Sequence, residues 1–516
     1  MSFEHEMELR FKDSFSPDFI SRLGAVYSER NRVLSIECEI HSFHQVAKQV
    51  YGNRRLAPYL LGYFSDPLES EKNSISIFFR VSISPSFVIR LCSRFSNDSV
   101  VGSIVDEIIP AAWMEREMAE LYGVKFSSPQ PPLVLHAEEP NTFHFSDPGV
   151  EGGHQVAVGP IHAGIIEPGH LRFFVRGEKI YSFQAHLFFT HKGLEKMAVG
   201  KSLDDALSLA EHVCGLCACT HAQCFAKAVE SFLGMEIPVR AKILRAVLLE
   251  LERLNYHCAD LAAICASGGL SFASMQAAAI REQLLRRTKA LTGHRFFRGI
   301  IAVGGLKRDI NAEMIQEFLV ELKEVAVKIE RLRDLITTSD TLLDRLETTG
   351  TLSESRVREL GLTGPAARGS GVDFDLRRDG MDDIYDKYAI QVPVYKEGDC
   401  WARTMVRLDE WRSSLLLIEG LLNDISEGPV CCESFSEKQN GNVGYGIGAV
   451  ESAKGETAHF IRLDQEGKVA RWNVRSASYF NWAGMVAATS EDPNNIVADG
   501  PLINKSFNLC YACTDR

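Results

Sequence analysis

The sequence predicts an α+β fold: a small N-terminal α/β domain over residues 1–130, a linker over 131–154, and a large, mainly helical domain over 155–516 with β segments near both of its ends. Three observations predict it. β-branched and aromatic runs lie near the N-terminus, long helix-period runs fill the middle, and β-like runs return before the C-terminus. At 516 residues the chain is also long for one domain.

Taken in order, VLSIECEI near Val33 and SISIFFRVSIS near Ser74 read as strands. IPAAWMEREMAELYG, from Ile109, reads as an amphipathic helix that Gly123 terminates. Ser127 to His154 is rich in Pro, Gly and Ser and has little periodicity, which reads as an extended connection. HLRFFVRGEKIYSFQAHLFF reads as a hairpin about Gly177, and HKGLEK opens a helical region. From Pro238 the pattern is helical. Leu244, Leu248 and Leu251 share one face of a first long run; Phe318, Leu322 and Ile329 share one face of a second. Both runs are long enough for a bundle core, and their charged faces read as solvated surface. GPAARGSGVDFDLRRDG, from Gly364, breaks the pattern and reads as a functional loop or a charged interface. A helical stretch follows around Trp401, and GNVGYGIGAVES and HFIRLDQEGKVARWNVRSASYF read as strands.

Composition is that of a globular protein, 45% hydrophobic and 24% charged. A net charge of −12 without a long basic run argues against nucleic acid as a partner. The opening MSFEHEMELRF lacks the apolar core of a signal peptide, and no run of about 18 apolar residues could span a membrane. The expectation is a chain on the cytoplasmic side. In that setting paired cysteines point to metal or redox chemistry rather than disulfides. Of the thirteen cysteines, Cys38, Cys92, Cys258 and Cys265 sit among apolar neighbours and read as small buried hydrophobes.

Two CxxC pairs stand out: Cys214–Cys217 in CGLCACTH, and Cys510–Cys513 in CYACTDR. A CxxC places two sulfurs about one turn apart, so both can face one metal. Four thiolates suit zinc, an iron–sulfur cluster or nickel. The pairs are too far apart for a self-contained zinc ribbon, and nothing nearby is thioredoxin-like. Cys219 and Cys224 are either bystanders or further cluster ligands.

These residues resemble the large subunit of a [NiFe]-hydrogenase. GPIHAGIIEPGHLRFF, HKGLEK, GPAARGSG, RWNVRSASYFNW and CYACTDR resemble the membrane-associated, energy-converting group, of the formate hydrogenlyase large-subunit type. WMEREMAELYGVKF resembles the complex I peripheral-arm subunit that is fused at the N-terminus there. The resemblance implies a nickel–iron centre, with cyanide and carbon monoxide on the iron, held by Cys214, Cys217, Cys510 and Cys513; Cys217 and Cys513 would bridge to iron. It implies His221 beside a bridging sulfur, Glu167 as proton relay, Arg475 above the open metal position, and Glu195 holding Mg2+ or Fe2+. It further implies an iron–sulfur small subunit carrying [4Fe-4S] clusters, membrane subunits related to complex I or antiporters, maturation proteins, and a formate-oxidising, CO-oxidising or ferredoxin electron-donor module. The chain would sit on the cytoplasmic face of the cell membrane and catalyse reversible oxidation of dihydrogen.

Three departures from the family pattern are evident. His212 stands where Arg is usual, Asn508–Leu509 replaces Asp-Pro, and Lys454 in ESAKG replaces Arg. Losing the carboxylate at position 508 changes the charge beside the centre, and Lys lacks the planar donor fork of Arg. The rival readings are a complex I-type quinone-site subunit, with His162 of GPIHAG as a donor, and a non-catalytic structural subunit of a membrane oxidoreductase.

Overall fold

The computed structural model describes residues 3–23, 26–29, 32–67, 72–81, 86–128, 145–163, 166–380, 382, 384–432 and 445–516. The N-terminal domain is built on five strands: β1 Val26–Glu29, β2 Val33–Glu37, β3 Pro58–Pro67, β4 Lys72–Val81 and β5 Phe87–Ser96. Their order is β1-β2-β5-β4-β3. β2 and β5 run parallel and the other neighbours antiparallel. The parallel pair needs a crossover, and helix Ile40–Tyr51 supplies part of it, burying Phe43, Val46, Ala47 and Val50. The expected helix is present as Ala112–Tyr122, and Gly123 ends it at φ 68°.

This domain is not a bead on a linker. The other face of its sheet carries Leu61, Phe64, Phe78 and Val88, which pack on Tyr445, Ile447 and Phe460. Between them, Arg80 Nε lies 2.8 Å from Glu456 Oε1, with both side chains about fully buried. Of the expected linker, residues 131–144 lie outside the described residues, 145–153 form no helix or strand, and a strand begins at His154.

The large domain is a helical bundle flanked by two three-stranded antiparallel sheets. The hairpin about Gly177 pairs His170–Arg176 with Lys179–His186. Helices Val239–Ser267, Ser271–Thr292, Ala312–Thr337 and Cys400–Asn423 form the bundle. Leu244, Leu248 and Leu251 are buried, as are Phe318, Leu322 and Ile329. The last sheet pairs Gly446–Ser452, Gly455–Leu463 and Val469–Arg475. Its first strand lies against helix Ala218–Leu233 so closely that a Cβ on Gly448 would fall 2.0 Å from Cys224 O, which explains glycine there.

The charged face of Val239–Ser267 corrects the sequence reading. Glu250, Glu252, Arg253 and Asp260 are buried, not solvated. The helix crosses the middle of the domain, so its charges must pair internally. The segment from Gly364 supplies one partner, Arg377 for Glu250, while Asp260 pairs with Arg407 and Lys454. The segment forms short helices Gly364–Arg368 and Leu376–Asp379. Arg368 joins Glu410 and Glu451, and Arg377 joins Glu250 and Asp375, all of them buried. The charge expected there is therefore internal.

Candidate metal centre

Both CxxC pairs open a helix. Cys217 immediately precedes Ala218–Leu233, and Cys510 immediately precedes Tyr511–Asp515. Backbone N–H groups are free at such ends and favour thiolate. Leu216 N donates to Cys214 Sγ at 3.3 Å, and Cys513 N donates to Cys510 Sγ at 3.3 Å.

The tail segment is fixed by several hydrogen bonds. Ser476 Oγ donates to Cys513 O (2.8 Å) and Trp482 Nε1 to Thr514 Oγ1 (3.0 Å). Asp515 accepts from Phe188 N and Thr190 N at 3.0 Å each. These bonds bring the two pairs together. Cys510 Sγ lies 3.2 Å from Cys214 Sγ, and Cys513 Sγ lies 3.5 Å from Cys217 Sγ. Cys214, Cys217 and Cys513 are buried and Cys510 half-buried; all are reduced. Hydrogen bonds from the other three thiols, Cys217 first, draw the Cys214 pKa well below the ordinary thiol value. The same bonds hold Cys217 and Cys510 protonated, and burial holds Cys513 so. The sulfurs of Cys214, Cys217 and Cys513 all lie within 4.8 Å of one another, a spacing that fits a thiophilic metal, and Cys510 adjoins them through Cys214.

Cys219 and Cys224 are bystanders in this geometry. Cys219 Sγ accepts from Gln223 Nε2, and Cys224 Sγ donates to Thr457 O.

Two of the remaining expected residues, Glu167 and His221, lie against the sulfurs. Glu167 Oε2 accepts from Ala512 N at 2.7 Å and stands 3.9 Å from Cys510 Sγ. Burial raises its pKa, against the Ala512 hydrogen bond. His221 Nε2 lies 3.3 Å from Cys513 Sγ. Lys454, a departure from the family pattern, holds its ammonium 4.8 Å over the Tyr256 ring, whose hydroxyl lies 2.8 Å from Cys217 Sγ. Arg475 points elsewhere: it pairs with Glu117 of the N-terminal domain (3.3 Å) and stacks on Tyr479. His212 is exposed, and its Nδ1 donates to Ser208 O.

Glu195 does not fit a divalent cation. Val474 N (2.9 Å) and Asn473 Nδ2 (3.0 Å) donate to it, and Arg516 (3.3 Å) and Arg475 (3.8 Å) pair with it. Burial opposes its charge, but Arg516, Arg475 and Arg471 outweigh burial and keep its pKa low. The groups that reach its carboxylate are N–H donors and guanidinium cations, which already neutralise the charge a metal would need.

Sequence reasoning missed Tyr256, Asp260, Arg407, His459 and Trp472. Tyr256 and Asp260 are four apart on one helix, hence on one face. Asp260 accepts from Arg407 Nε (2.8 Å) and Asn508 Nδ2 (2.5 Å) besides Lys454. The departures at 454 and 508 thus meet on one carboxylate.

Residues 268–442 and 433–516 match the family described as respiratory-chain NADH dehydrogenase, 49 Kd subunit. Residues 192–265, which hold Cys214, Cys217, His221 and Tyr256, match nickel-dependent hydrogenase. Residues 36–139 match the 30 Kd subunit family of the same respiratory enzyme. Hydrogenase-4 component G of Escherichia coli (strain K12) is 30% identical over 80% of this chain and 75% of its own length. The chain belongs to the complex I-related, membrane-associated hydrogenase subunits.

Proteins similar to the chain differ in what they do. Carbon monoxide-induced hydrogenase of Rhodospirillum rubrum is 29% identical over 70% of this chain and 99% of its own length. An NADH-quinone oxidoreductase subunit of Desulfotalea psychrophila is 31% identical over 70% and 96%. A solved chain from the membrane-bound sulfane sulfur reductase, an archaeal respiratory membrane complex, superposes with TM-score 0.66 at 25% identity, covering 72% of this chain and all of its own. Among the described residues no helix is long and apolar enough to cross a membrane.

Proposed function

We propose that this chain is the catalytic subunit of a [NiFe]-hydrogenase that interconverts dihydrogen with protons and electrons. The carrying observation is the convergence of Cys214, Cys217, Cys510 and Cys513, with sulfurs 3.2 and 3.5 Å apart across the two pairs. When bound there, a nickel–iron centre with cyanide and carbon monoxide on the iron supplies the open position at which the H–H bond is broken or formed.

The chain's own residues handle the proton. Cys510 is the half-buried sulfur and faces the Glu167 carboxyl, so the pair forms a path from the centre toward solvent. Burial raises the Glu167 pKa above the ordinary carboxylate value, the direction that suits a group that takes and returns a proton. Tyr256 and His221 hydrogen-bond the inner sulfurs, Cys217 and Cys513. Electrons leave to an iron–sulfur small subunit, and the chain docks from the cytoplasmic side on membrane subunits related to complex I. Maturation proteins load the centre, and a formate-, CO- or ferredoxin-linked module is the other electron partner.

Nickel and iron content of the chain purified with its own maturation system tests this, beside the Cys513→Ala variant. Nickel near one per chain, lost in the variant, with hydrogen uptake by the unmodified chain, supports the proposal. No nickel despite working maturation proteins would sink it. The quinone-site reading would then lead, on the resemblance to the NADH-quinone oxidoreductase relative. His162, its donor candidate, here hydrogen-bonds Gly169 O at 2.7 Å.

A further inference from the structure

Three buried rings run in line to Cys513. Trp472 Nε1 lies 3.2 Å from His459 Nδ1, His459 Nε2 lies 3.0 Å from His221 Nδ1, and His221 Nε2 lies 3.3 Å from Cys513 Sγ. All three side chains are buried. The rings come from adjacent strands and the Ala218–Leu233 helix: Trp472 and His459 sit on neighbouring strands of the last sheet, and His221 on the first turn of the helix beneath.

An indole N–H can only donate. Facing it, His459 Nδ1 must accept, so the one proton of a neutral His459 sits on Nε2. That proton points at His221 Nδ1, which must accept in turn. His221 therefore carries its proton on Nε2, aimed at Cys513 Sγ. Any other arrangement sets two protons or two lone pairs face to face across one of these short gaps. The same geometry excludes a charged ring, because a second proton on either histidine would face the indole N–H or the other ring's N–H.

We propose that Trp472 and His459 are positioning residues that lock His221 as the Nε2–H tautomer, so that Cys513 sulfur always receives a hydrogen bond. Without the indole the two-ring chain could reverse. His221 would then present a lone pair to Cys513, repelling a thiolate instead of stabilising it. The importance of this for turnover rests on the metal-centre reading; the tautomers themselves do not.

The test uses the full chain labelled with ring-15N histidine and two-bond 15N–1H correlation spectra, which distinguish the neutral tautomers. His221→Gln and His459→Gln assign the two signals. Both rings are expected as Nε2–H. Trp472→Phe keeps a ring in the space but removes the donor; His459 and His221 are then expected to shift to intermediate 15N values, reporting mixed tautomers. An Nδ1–H pattern at either ring in the unmodified chain overturns the proposal. So does Trp472→Phe with both patterns unchanged. Should Trp472→Phe fail to fold, His459→Gln decides, because its amide can donate to His221 Nδ1. Retained Nε2–H at His221 supports the lock, and a switch to Nδ1–H overturns it. A chain that stays nickel-free despite working maturation proteins, yet shows the expected tautomers, would defeat the hydrogenase reading and leave this one standing.

Discussion

The Lys454 ammonium reaches both carboxylate oxygens of Asp260, at 2.6 and 2.5 Å. Asn508, two residues before Cys510, donates to the same carboxylate. Changes that look like two separate losses along the chain form one buried cluster. Lys454→Met leaves Asp260 short of a cation and is expected to cost about 3 kcal/mol. Asn508→Asp replaces a donor by a second carboxylate at hydrogen-bond distance and should destabilise too. Urea midpoints measure both. Unchanged midpoints would remove this cluster from the forces that seat the Cys510–Cys513 segment.

Glu117, from the N-terminal domain, pairs with both Arg475 and Arg516. Glu117→Ala leaves two buried guanidinium groups with Glu195 as their remaining carboxylate partner. A loss of about 3 kcal/mol is expected, read as a lower thermal midpoint. Elemental analysis of the same preparation should find no stoichiometric magnesium, and chelators should leave the midpoint unmoved. One magnesium per chain, lost in Glu195→Gln, would contradict the donor arrangement around Glu195.

Glu167→Gln keeps a carbonyl for Ala512 N but cannot carry a proton. Nickel content should stay at the unmodified level, while exchange between deuterium gas and water falls about a hundredfold. Equal loss of nickel and exchange would make Glu167 a structural residue instead.

Glu115 lies in the N-terminal domain, where it accepts from Ile104 N and Ser103 Oγ. Burial, against those hydrogen bonds, raises its pKa from 4.5 to about 7. Native Glu115 keeps its proton where the unfolded chain has lost it. Its contribution to stability is therefore full below pH 4.5 and fades as pH rises through 7. The change is about 3 kcal/mol at most. Denaturation midpoints from pH 4.5 to 8 should fall, and Glu115→Gln should flatten the slope. A slope unaffected by the variant would assign the pH dependence elsewhere.

What the sequence discloses follows periodicity and local spacing. The CxxC pairs, the apolar faces of the two long helices and the Gly123 stop are local signals, and each has its place in the fold. The buried charges of Val239–Ser267 read as surface in the sequence because a helix wrapped on every side has no polar face to reveal itself. Arg475 reads as the cation at the centre because it follows RWNV in a matching stretch. Packing gives that neighbourhood to Lys454 and turns Arg475 toward Glu117. His459 carries no motif and Trp472 sits in the RWNV stretch without a role of its own; strand pairing alone makes them neighbours.

The paired sulfurs come from positions 296 residues apart. At the ~5–20 residues per second of synthesis, the ribosome needs on the order of 15–60 s to travel that distance. Throughout that interval Cys214 and Cys217 exist before either Cys510 or Cys513 is made. A thiophilic ion reaching them early meets two sulfurs instead of four and is held loosely enough to leave. The order of synthesis therefore delays the assembled cysteine cluster until the last few residues are made.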